Sequence, residues 1–255
     1  MNLKEAVRLK AIMELSAIYN CGRQDDAAVV EVLARFRQHY PMTRLMLIND
    51  GGSNILESYA KLFHCEYSLC SRVSSVDSGF QLSEACSAVT YMERILNCIP
   101  EDDCWVLLLE DDTWVCDQVP LTDLKYDMCG RSARTLPVCL TLAIQQKFPT
   151  FPLKRVECAD SGGAFLRGSF MRKMRENNVW RRNVAIMFSM MEPISSSHLL
   201  SVLVYMDGGT IGPYKGYGEP SFLFYKLYSI LGKQETVFKI LGKQKKKFWK
   251  PNQTE

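Results

Sequence analysis

The chain alternates between short apolar runs and longer segments in which apolar residues recur at helical spacing. Short apolar runs bounded by polar turns are typical of strands, whereas apolar residues three and four positions apart are typical of helices. We therefore predict strands at residues 14–19, 44–48, 66–69, 105–109 and 164–166, and helices at 24–39, 55–63, 82–98 and 169–177. Residues 136–144 are apolar without a decisive period. The alternation predicts an α/β fold with a mainly parallel, Rossmann-like sheet flanked by helices.

The 255 residues suffice for one large domain, which we place at residues 1–220. Residues 221–255 form a second segment, predicted to be a basic, partly amphipathic and helical tail. From Lys233 to Lys250 this tail carries seven lysines and one acid, Glu235. Such a helix can lie on an anionic membrane surface, or it can pack with its lysines in solvent. We favour the second alternative.

Composition and charge argue against several classes of protein. The formal net charge is only +3, so no nucleic-acid partner is expected. The ten cysteines include no C-x-x-C pair, and we interpret them as mostly reduced core residues of a reducing compartment. No apolar run approaches the roughly 18 residues of a membrane span, and the first residues lack the apolar stretch of a secretion signal. We expect a cytoplasmic protein.

Polar turns follow three of the predicted strands. They are Tyr19-Asn20, Asn49-Asp50-Gly51 and Glu110-Asp111-Asp112. Parallel strands end at one edge of a sheet, and in open α/β sheets ligands bind at that edge. Carboxylates suit Mg²⁺ or Mn²⁺, which are often held together with substrate phosphates. Residues 110–112 therefore indicate either a metal–phosphate site or a solvated acidic turn, and the shared edge favours the site.

Two other ways of binding nucleotides fit the sequence poorly. No G-x-G-x-x-G opens a helix after the first strand, as a Rossmann dinucleotide site requires, and no P-loop is present to bind phosphates through backbone amides. A metal ion held by carboxylates remains the available means of binding a substrate phosphate at this edge.

Three motifs in this order resemble nucleotide-sugar glycosyltransferases of the GT-A fold. Residues 17–23, AIYNCGR, resemble the end of that family's first strand, and residues 48–54, INDGGSN, resemble its DDGS-x-D turn. Residues 109–112, LEDD, resemble its D-x-D motif with Glu in the first place. Together with residues 208–214, GGTIGPY, they are similar to glycosyltransferases encoded by large algal DNA viruses. The resemblance covers residues 10–220.

The resemblance implies that several of these residues bind the donor. Tyr19 and Asn20 would line the nucleobase or ribose pocket, and Asp50 would hydrogen-bond the nucleobase or ribose. Glu110 would lie near the ribose.

The same resemblance implies a metal site and a set of substrates. Asp112, with Asp111 as a second ligand, would bind Mn²⁺ or Mg²⁺. The substrates would be a UDP- or GDP-linked sugar and a hydroxyl acceptor on a glycan or glycoconjugate. If the gene is viral, the cytoplasm in question is that of the host, with peripheral membrane contact through the tail as a further expectation.

An inverting transfer requires a general base that deprotonates the acceptor hydroxyl. The candidates, in order, are Asp160, Glu157 and Asp207. Asp160 is favoured because it directly precedes a small-residue segment, residues 161–164, that in this family faces the sugar. Many relatives carry an acid before a helix similar to residues 199–205, whereas this chain has SSSH at residues 195–198. We interpret His198 as structural.

Residues 208–219 are rich in Gly and Tyr. They predict either a loop that closes over donor and acceptor or a plain surface connection. Tyr214 and Tyr217 could stack on a sugar face, and Lys215 could contact a phosphate.

The leading hypothesis is therefore a metal-dependent, inverting hexosyl- or pentosyl-transferase. One alternative is a sugar nucleotidyltransferase, which usually has a Gly-rich basic loop near the first strand, where this chain has only Gly22-Arg23. The other alternative is a non-catalytic carbohydrate-binding or scaffold domain of the same fold. Such a domain would not bind metal and nucleotide together.

Overall fold

The structure, a computed structural model, describes residues 15–22, 26–51, 54–73, 81–111, 113–130, 132–136, 138–151, 156–190, 193–214 and 224–226. Among the predicted site residues, Asp112 and Lys215 lie outside these ranges, and Glu157 is described in its backbone alone. Tyr217 and the Lys-rich part of the tail also lie outside the described residues.

The described chain alternates strands and helices as the sequence predicts. The strands are β1 (Leu15–Cys21), β2 (Arg44–Asp50), β3 (Glu66–Cys70), β4 (Gln81–Leu82), β5 (Trp105–Leu109), β6 (Thr113–Val115), β7 (Met128–Cys129), β8 (Ser132–Thr135), β9 (Glu157–Ala159), β10 (Phe165–Arg167), β11 (Ile194–Ser195), β12 (Ile211–Gly212) and β13 (Phe224–Lys226). The α-helices are α1 (Asp26–His39), α2 (Ile55–Leu62), α3 (Ala85–Asn97), α4 (Val138–Lys147), α5 (Gly168–Asn177), α6 (Val179–Phe188) and α7 (Ser196–Met206).

A seven-stranded sheet in the order β12-β7-β10-β5-β1-β2-β3 forms the centre of the domain. Strands β3, β2, β1 and β5 are mutually parallel, while β10 runs antiparallel to its neighbours β5 and β7. The predicted α/β fold with a mainly parallel sheet is therefore confirmed.

Both faces of the sheet are buried under helices. Alternate side chains of a strand point to opposite faces, so Ile18 and Leu108 lie in the cluster with α3, α5, α6 and α7. Tyr19 and Leu109 lie in the other cluster, with α1 and α2. Burial on both faces explains why the central strands are nearly continuous apolar runs.

Three local features differ from the predicted elements or add to them. Helix α3 begins at Ala85, because Gln81–Leu82 forms β4 and pairs with β11 in front of α7. The unassigned segment 136–144 is mostly helical, as α4. Strand β13 lies beyond residue 220 and pairs with β6, so three residues of the predicted tail segment join the β-structure.

The described residues also bear on the cysteines and on membrane spans. None of the nine cysteines whose side chains are described forms a disulfide. Within the described ranges, no helix is long and apolar enough to cross a membrane.

Arg37 joins the ends of two helices. Its guanidinium donates to carbonyl oxygens that follow α1 and α2, at distances between 2.6 and 3.4 Å: those of Tyr40, Pro41, Thr43, Phe63 and His64. A planar guanidinium can serve several acceptors at once, whereas a lysine ammonium is a compact point charge.

We expect Arg37→Lys to lower the free energy of unfolding by at least about 2 kcal/mol, because several charge-assisted bonds are lost. Chemical denaturation measures this. Arg35→Lys on the same helix is the control, since Arg35 forms a partly exposed ion pair with Glu31; its expected cost is below about 1 kcal/mol. Equal losses in the two variants would contradict the assignment.

Tyr40 predicts a loss of stability at alkaline pH. Burial raises the pKa of Tyr40 to about 12; the Val119 N–H donates to its hydroxyl and opposes the shift, and Asp117 adds to it. The folded protein therefore retains a proton that the unfolded chain loses above about pH 10. The contribution of Tyr40 to the free energy of unfolding is complete below about pH 10. It falls by about 1.4 kcal/mol per pH unit between about pH 10 and pH 12. Denaturation from pH 8 to 12 should show a shallower alkaline fall in Tyr40→Phe than in the wild type; identical slopes would exclude Tyr40 as a cause.

Candidate active site

The ends of β1 and β5 are joined through a buried carboxylate. Asp111, in the turn after β5, accepts a hydrogen bond from the Tyr19 hydroxyl at 2.9 Å and another from the Gly22 amide at 3.0 Å. Both Tyr19 and Asp111 are buried. Burial, followed by the nearby Asp111 charge, raises the pKa of Tyr19 well above its ordinary value. The Tyr19 hydroxyl therefore connects β1 to the turn after β5. Its buried ring is inaccessible to the nucleobase that the resemblance placed beside it.

Glu110, the first residue after β5, points to a group of serines. Its Oε1 accepts hydrogen bonds from the Ser161 hydroxyl and from the Ser196 hydroxyl, the latter at 3.4 Å. Ser197 Oγ lies 2.9 Å from Ser161 Oγ and accepts from the Ser161 amide at 3.0 Å. Because Ser196 and Ser197 open α7, the carboxylate lies near the positive end of that helix. We call Glu110, Ser161, Ser196 and Ser197 the serine–glutamate cluster.

The turn after β9 is shaped to approach this cluster closely. A Cβ on Gly162 would lie 2.7 Å from Thr113 Oγ1 and 3.0 Å from Glu110 Oε2, so only glycine fits without displacement. Gly163 has φ +84°, a conformation that side chains disfavour. Its carbonyl accepts a bond from the Tyr214 hydroxyl at 3.1 Å. Tyr214 is buried and packs edge-on against Phe165, which is contrary to its predicted role as an exposed sugar platform.

The end of β2 carries a buried ion pair. Asp50 is 0% exposed and its Oδ1 accepts from Arg94 Nη1 at 2.7 Å and from the Val73 amide at 2.9 Å. Arg94 also donates to the Ser71 carbonyl, so the pair ties α3 to the chain that follows β3. The family resemblance implied that Asp50 contacts the nucleotide, whereas in the structure Arg94 and the Val73 amide hold its buried carboxylate.

Tyr91 lies between the two acidic turns. Burial, then the charge of Glu110 and more weakly that of Asp50, raises the pKa of this tyrosine, while a hydrogen bond with Ser196 opposes the shift. Tyr91 and Arg94 are three residues apart, so one face of α3 serves both turns.

The three candidate bases occupy different places. Asp160 is half-buried and directly precedes Ser161 of the serine–glutamate cluster. Glu157 begins β9, about 10 Å of strand away from Asp160. Asp207 follows the last turn of α7, about 16 Å of helix from Ser196, and there it accepts from Asn177 Nδ2 at 3.1 Å. Asp160 is therefore next to the cluster along the chain, whereas Asp207 lies at the far end of α7 from it.

The oxygen ligands at this edge are of the kind that Mg²⁺ and Mn²⁺ prefer, but the described ones point to different neighbours. Asp111 points to β1 and Glu110 points to α7. Among the residues that the structure describes, no three His, Cys, Asp or Glu side chains converge as a metal site. Asp112, the predicted principal metal ligand, lies outside the described residues. Asn20 is buried beside Tyr19 at the end of β1, as expected for a residue of this edge.

Asp50→Ala is expected to lower the free energy of unfolding by about 3–5 kcal/mol, because it leaves the Arg94 charge buried without its carboxylate. Glu66→Ala is the matched control: Glu66 pairs with Arg44 at the other end of β2, where both side chains are more than 40% exposed. That change should cost below about 1 kcal/mol. Denaturation curves give both values, and similar losses would contradict a buried ion pair at Asp50.

No protein-family model and no curated protein sequence matches the chain. Among solved structures, the galactosyltransferase LgtC in complex with donor and acceptor sugar analogues superposes with a TM-score of 0.51 and 17% identity. The match covers 78% of this chain and 73% of LgtC. The chain has a GT-A-like fold. An active-site mutant of LgtC gives the same TM-score at 14% identity.

Two further glycosyltransferase structures are similar at lower scores. GlyE from Streptococcus pneumoniae TIGR4 has a TM-score of 0.48 and 12% identity over 79% of this chain. The chain spans 45% of the length of GlyE. Core-mannan synthase A from Aspergillus fumigatus, in its Mn/GDP form, has a TM-score of 0.49 and 9% identity over 79% of this chain and 72% of its own.

Sequence reasoning missed several residues that organise the GT-A-like edge. In the sequence, Ser161 was only part of a small-residue segment, and Ser196 and Ser197 stood where many relatives carry an acid. Tyr91 and Arg94 were part of an ordinary amphipathic helix. The one available signal was the charged residue Arg94 among the apolar positions of α3. That signal could not show that Asp50 is its partner.

Proposed function

We propose that the protein is a metal-dependent glycosyltransferase that moves a hexosyl or pentosyl group from a UDP- or GDP-linked sugar to a hydroxyl acceptor on a glycan or glycoconjugate. The observation that carries the proposal is that Asp50, Glu110 and Asp111 lie at the carboxyl edge of parallel strands in a GT-A-like sheet. Ligands of open α/β sheets bind at that edge. LgtC, which shares the fold, is a galactosyltransferase seen with donor and acceptor sugar analogues.

Asp112 is the proposed principal metal ligand, with Mn²⁺ or Mg²⁺ as the ion. When bound, the ion would supply positive charge beside the diphosphate as negative charge develops there. The protein's contribution is orientation: Ser161 and Ser196 hold the Glu110 carboxylate at the start of the turn. Asn20 and Lys215 are proposed to contact the nucleotide.

The transfer itself needs one proton acceptor. The acceptor oxygen forms a bond to the anomeric carbon, the bond from that carbon to the phosphate oxygen breaks, and the diphosphate leaves with the bonding electron pair. Asp160 is proposed to take the proton of the acceptor hydroxyl, which lowers the barrier to attack. Attack on the face opposite the leaving group inverts the anomeric centre.

The products of the reaction distinguish this proposal from its two alternatives. The wild-type protein is incubated with Mn²⁺, UDP- and GDP-sugars and a panel of glycan acceptors, and products are followed by mass spectrometry. Release of nucleoside diphosphate with a glycosylated acceptor is the expected result. In a parallel incubation with UTP or GTP and a sugar 1-phosphate, formation of pyrophosphate and a nucleotide sugar would instead identify a nucleotidyltransferase. Sugar binding without nucleotide binding or turnover would identify a scaffold.

A further inference from the structure

We propose that Asp111 is a positioning residue rather than a metal ligand: it locks the turn after β5 to the turn after β1 and so fixes the position of Glu110 relative to Asn20. This inference rests on the proposed function for its catalytic consequence. The lock itself, formed by Tyr19, Gly22 and Asp111, can be tested without that function.

The geometry of the lock places one carboxylate between two points of the first turn. Tyr19 pairs with Leu109 across the β1–β5 ladder, so its ring reaches two residues past its partner to Asp111. Gly22, three residues after Tyr19, meets the second oxygen of the same carboxylate. Each Asp111 oxygen therefore receives a proton donor from β1 or its turn. These contacts fix the intervening Asn20 and Cys21 relative to β5.

The lock is charge-assisted and buried, which makes it directional. Asp111 is 3% exposed and Tyr19 is 0% exposed. Hydrogen bonds from neutral donors to buried carboxylates are shorter and stronger than those between neutral groups.

Successive carboxylates of the acidic turn point in different directions. Glu110 is held towards Ser161 and Ser196, whereas Asp111 is held towards Tyr19 and Gly22. Bringing both to one ion would break bonds on both sides of β5. The described residues accordingly contain no convergent group of three acidic, His or Cys side chains.

A double-mutant cycle over Tyr19→Phe, Asp111→Asn and the combination tests the lock. The measurements are the Mn²⁺ affinity in the presence of UDP or GDP, by electron paramagnetic resonance, the donor KM and kcat, and the free energy of unfolding. We expect each single variant to raise the donor KM about tenfold and to change Mn²⁺ affinity by less than about threefold. The double variant should be no worse than Asp111→Asn alone, because both changes remove one shared interaction.

Tyr40→Phe is the matched control. It removes a buried tyrosine hydroxyl that contacts the Val119 amide, remote from the acidic turns. It should lower stability without changing the donor KM, which separates positioning from general destabilisation.

Two results would overturn the inference. In the first, Asp111→Asn weakens Mn²⁺ binding more than tenfold while Tyr19→Phe leaves it unchanged, which would make Asp111 a ligand. In the second, the two single effects add in full, which would mean that the residues act independently. If the wild type binds no nucleotide, the proposed function fails, and the unfolding cycle alone decides the lock: no coupling there refutes it.

Discussion

Asp160→Asn is expected to lower kcat about 10²- to 10⁴-fold while leaving donor affinity within about threefold of the wild type. An asparagine keeps the size of the side chain but cannot take the proton of the acceptor hydroxyl. The position beside Ser161, and thus beside the serine–glutamate cluster, carries this expectation. Steady-state kinetics with a saturating donor give kcat, and equilibrium titration gives donor affinity.

Asp207→Asn is the control for this change. It is the same substitution on a residue at the far end of α7, where the carboxylate accepts from Asn177. We expect kcat to stay within about twofold, as for a surface change remote from the site. The assignment of Asp160 is wrong if its substitution abolishes donor binding, or if Asp207→Asn is the more damaging of the two.

Asp112→Asn is expected to lower turnover about 10³-fold and to remove its dependence on Mn²⁺. A metal ion stabilises a departing diphosphate by several kcal/mol, and each 1.4 kcal/mol corresponds to about tenfold in rate. Neutralising the principal ligand removes most of that contribution. The measurement is turnover as a function of Mn²⁺ concentration in the wild type and the variant.

Asp103→Asn is the matched control, because Asp103 is an acid at the opposite edge of the sheet. Asp103 precedes β5 by two residues and its side chain is 82% exposed, whereas Asp112 follows the end of the same strand. Its substitution should leave both turnover and the Mn²⁺ dependence unchanged. An unchanged Mn²⁺ dependence in Asp112→Asn would place the metal on other residues.

The sequence was sufficient for the architecture wherever periodicity alone determines it. Apolar runs predicted β1, β2 and β5, and their order with the helices predicted a parallel sheet whose polar ends meet at one edge. The contact between Asp111 and the end of β1 follows from that geometry. Strand ends can be placed in this way because the carboxyl ends of parallel strands all lie at the same edge of the sheet.

The partners of the acidic side chains could not be predicted. Whether Asp50 meets a nucleotide or Arg94 depends on the orientation of α3 over the sheet, which local pattern does not encode. The contact of Glu110 with Ser196 requires α7, 86 residues further along the chain, to begin at the same edge. The short strands β4 and β11, two residues each, set the beginnings of α3 and α7 and are too short to show a period.

The central claim is metal-dependent binding of a nucleotide sugar, and calorimetric titration of the wild-type protein with UDP- and GDP-sugars, with and without Mn²⁺, tests it most directly. We predict that at least one donor binds in the presence of Mn²⁺ and binds at least about tenfold more weakly after chelation. Equal affinity with and without Mn²⁺, or no binding of any nucleotide sugar, would contradict the account.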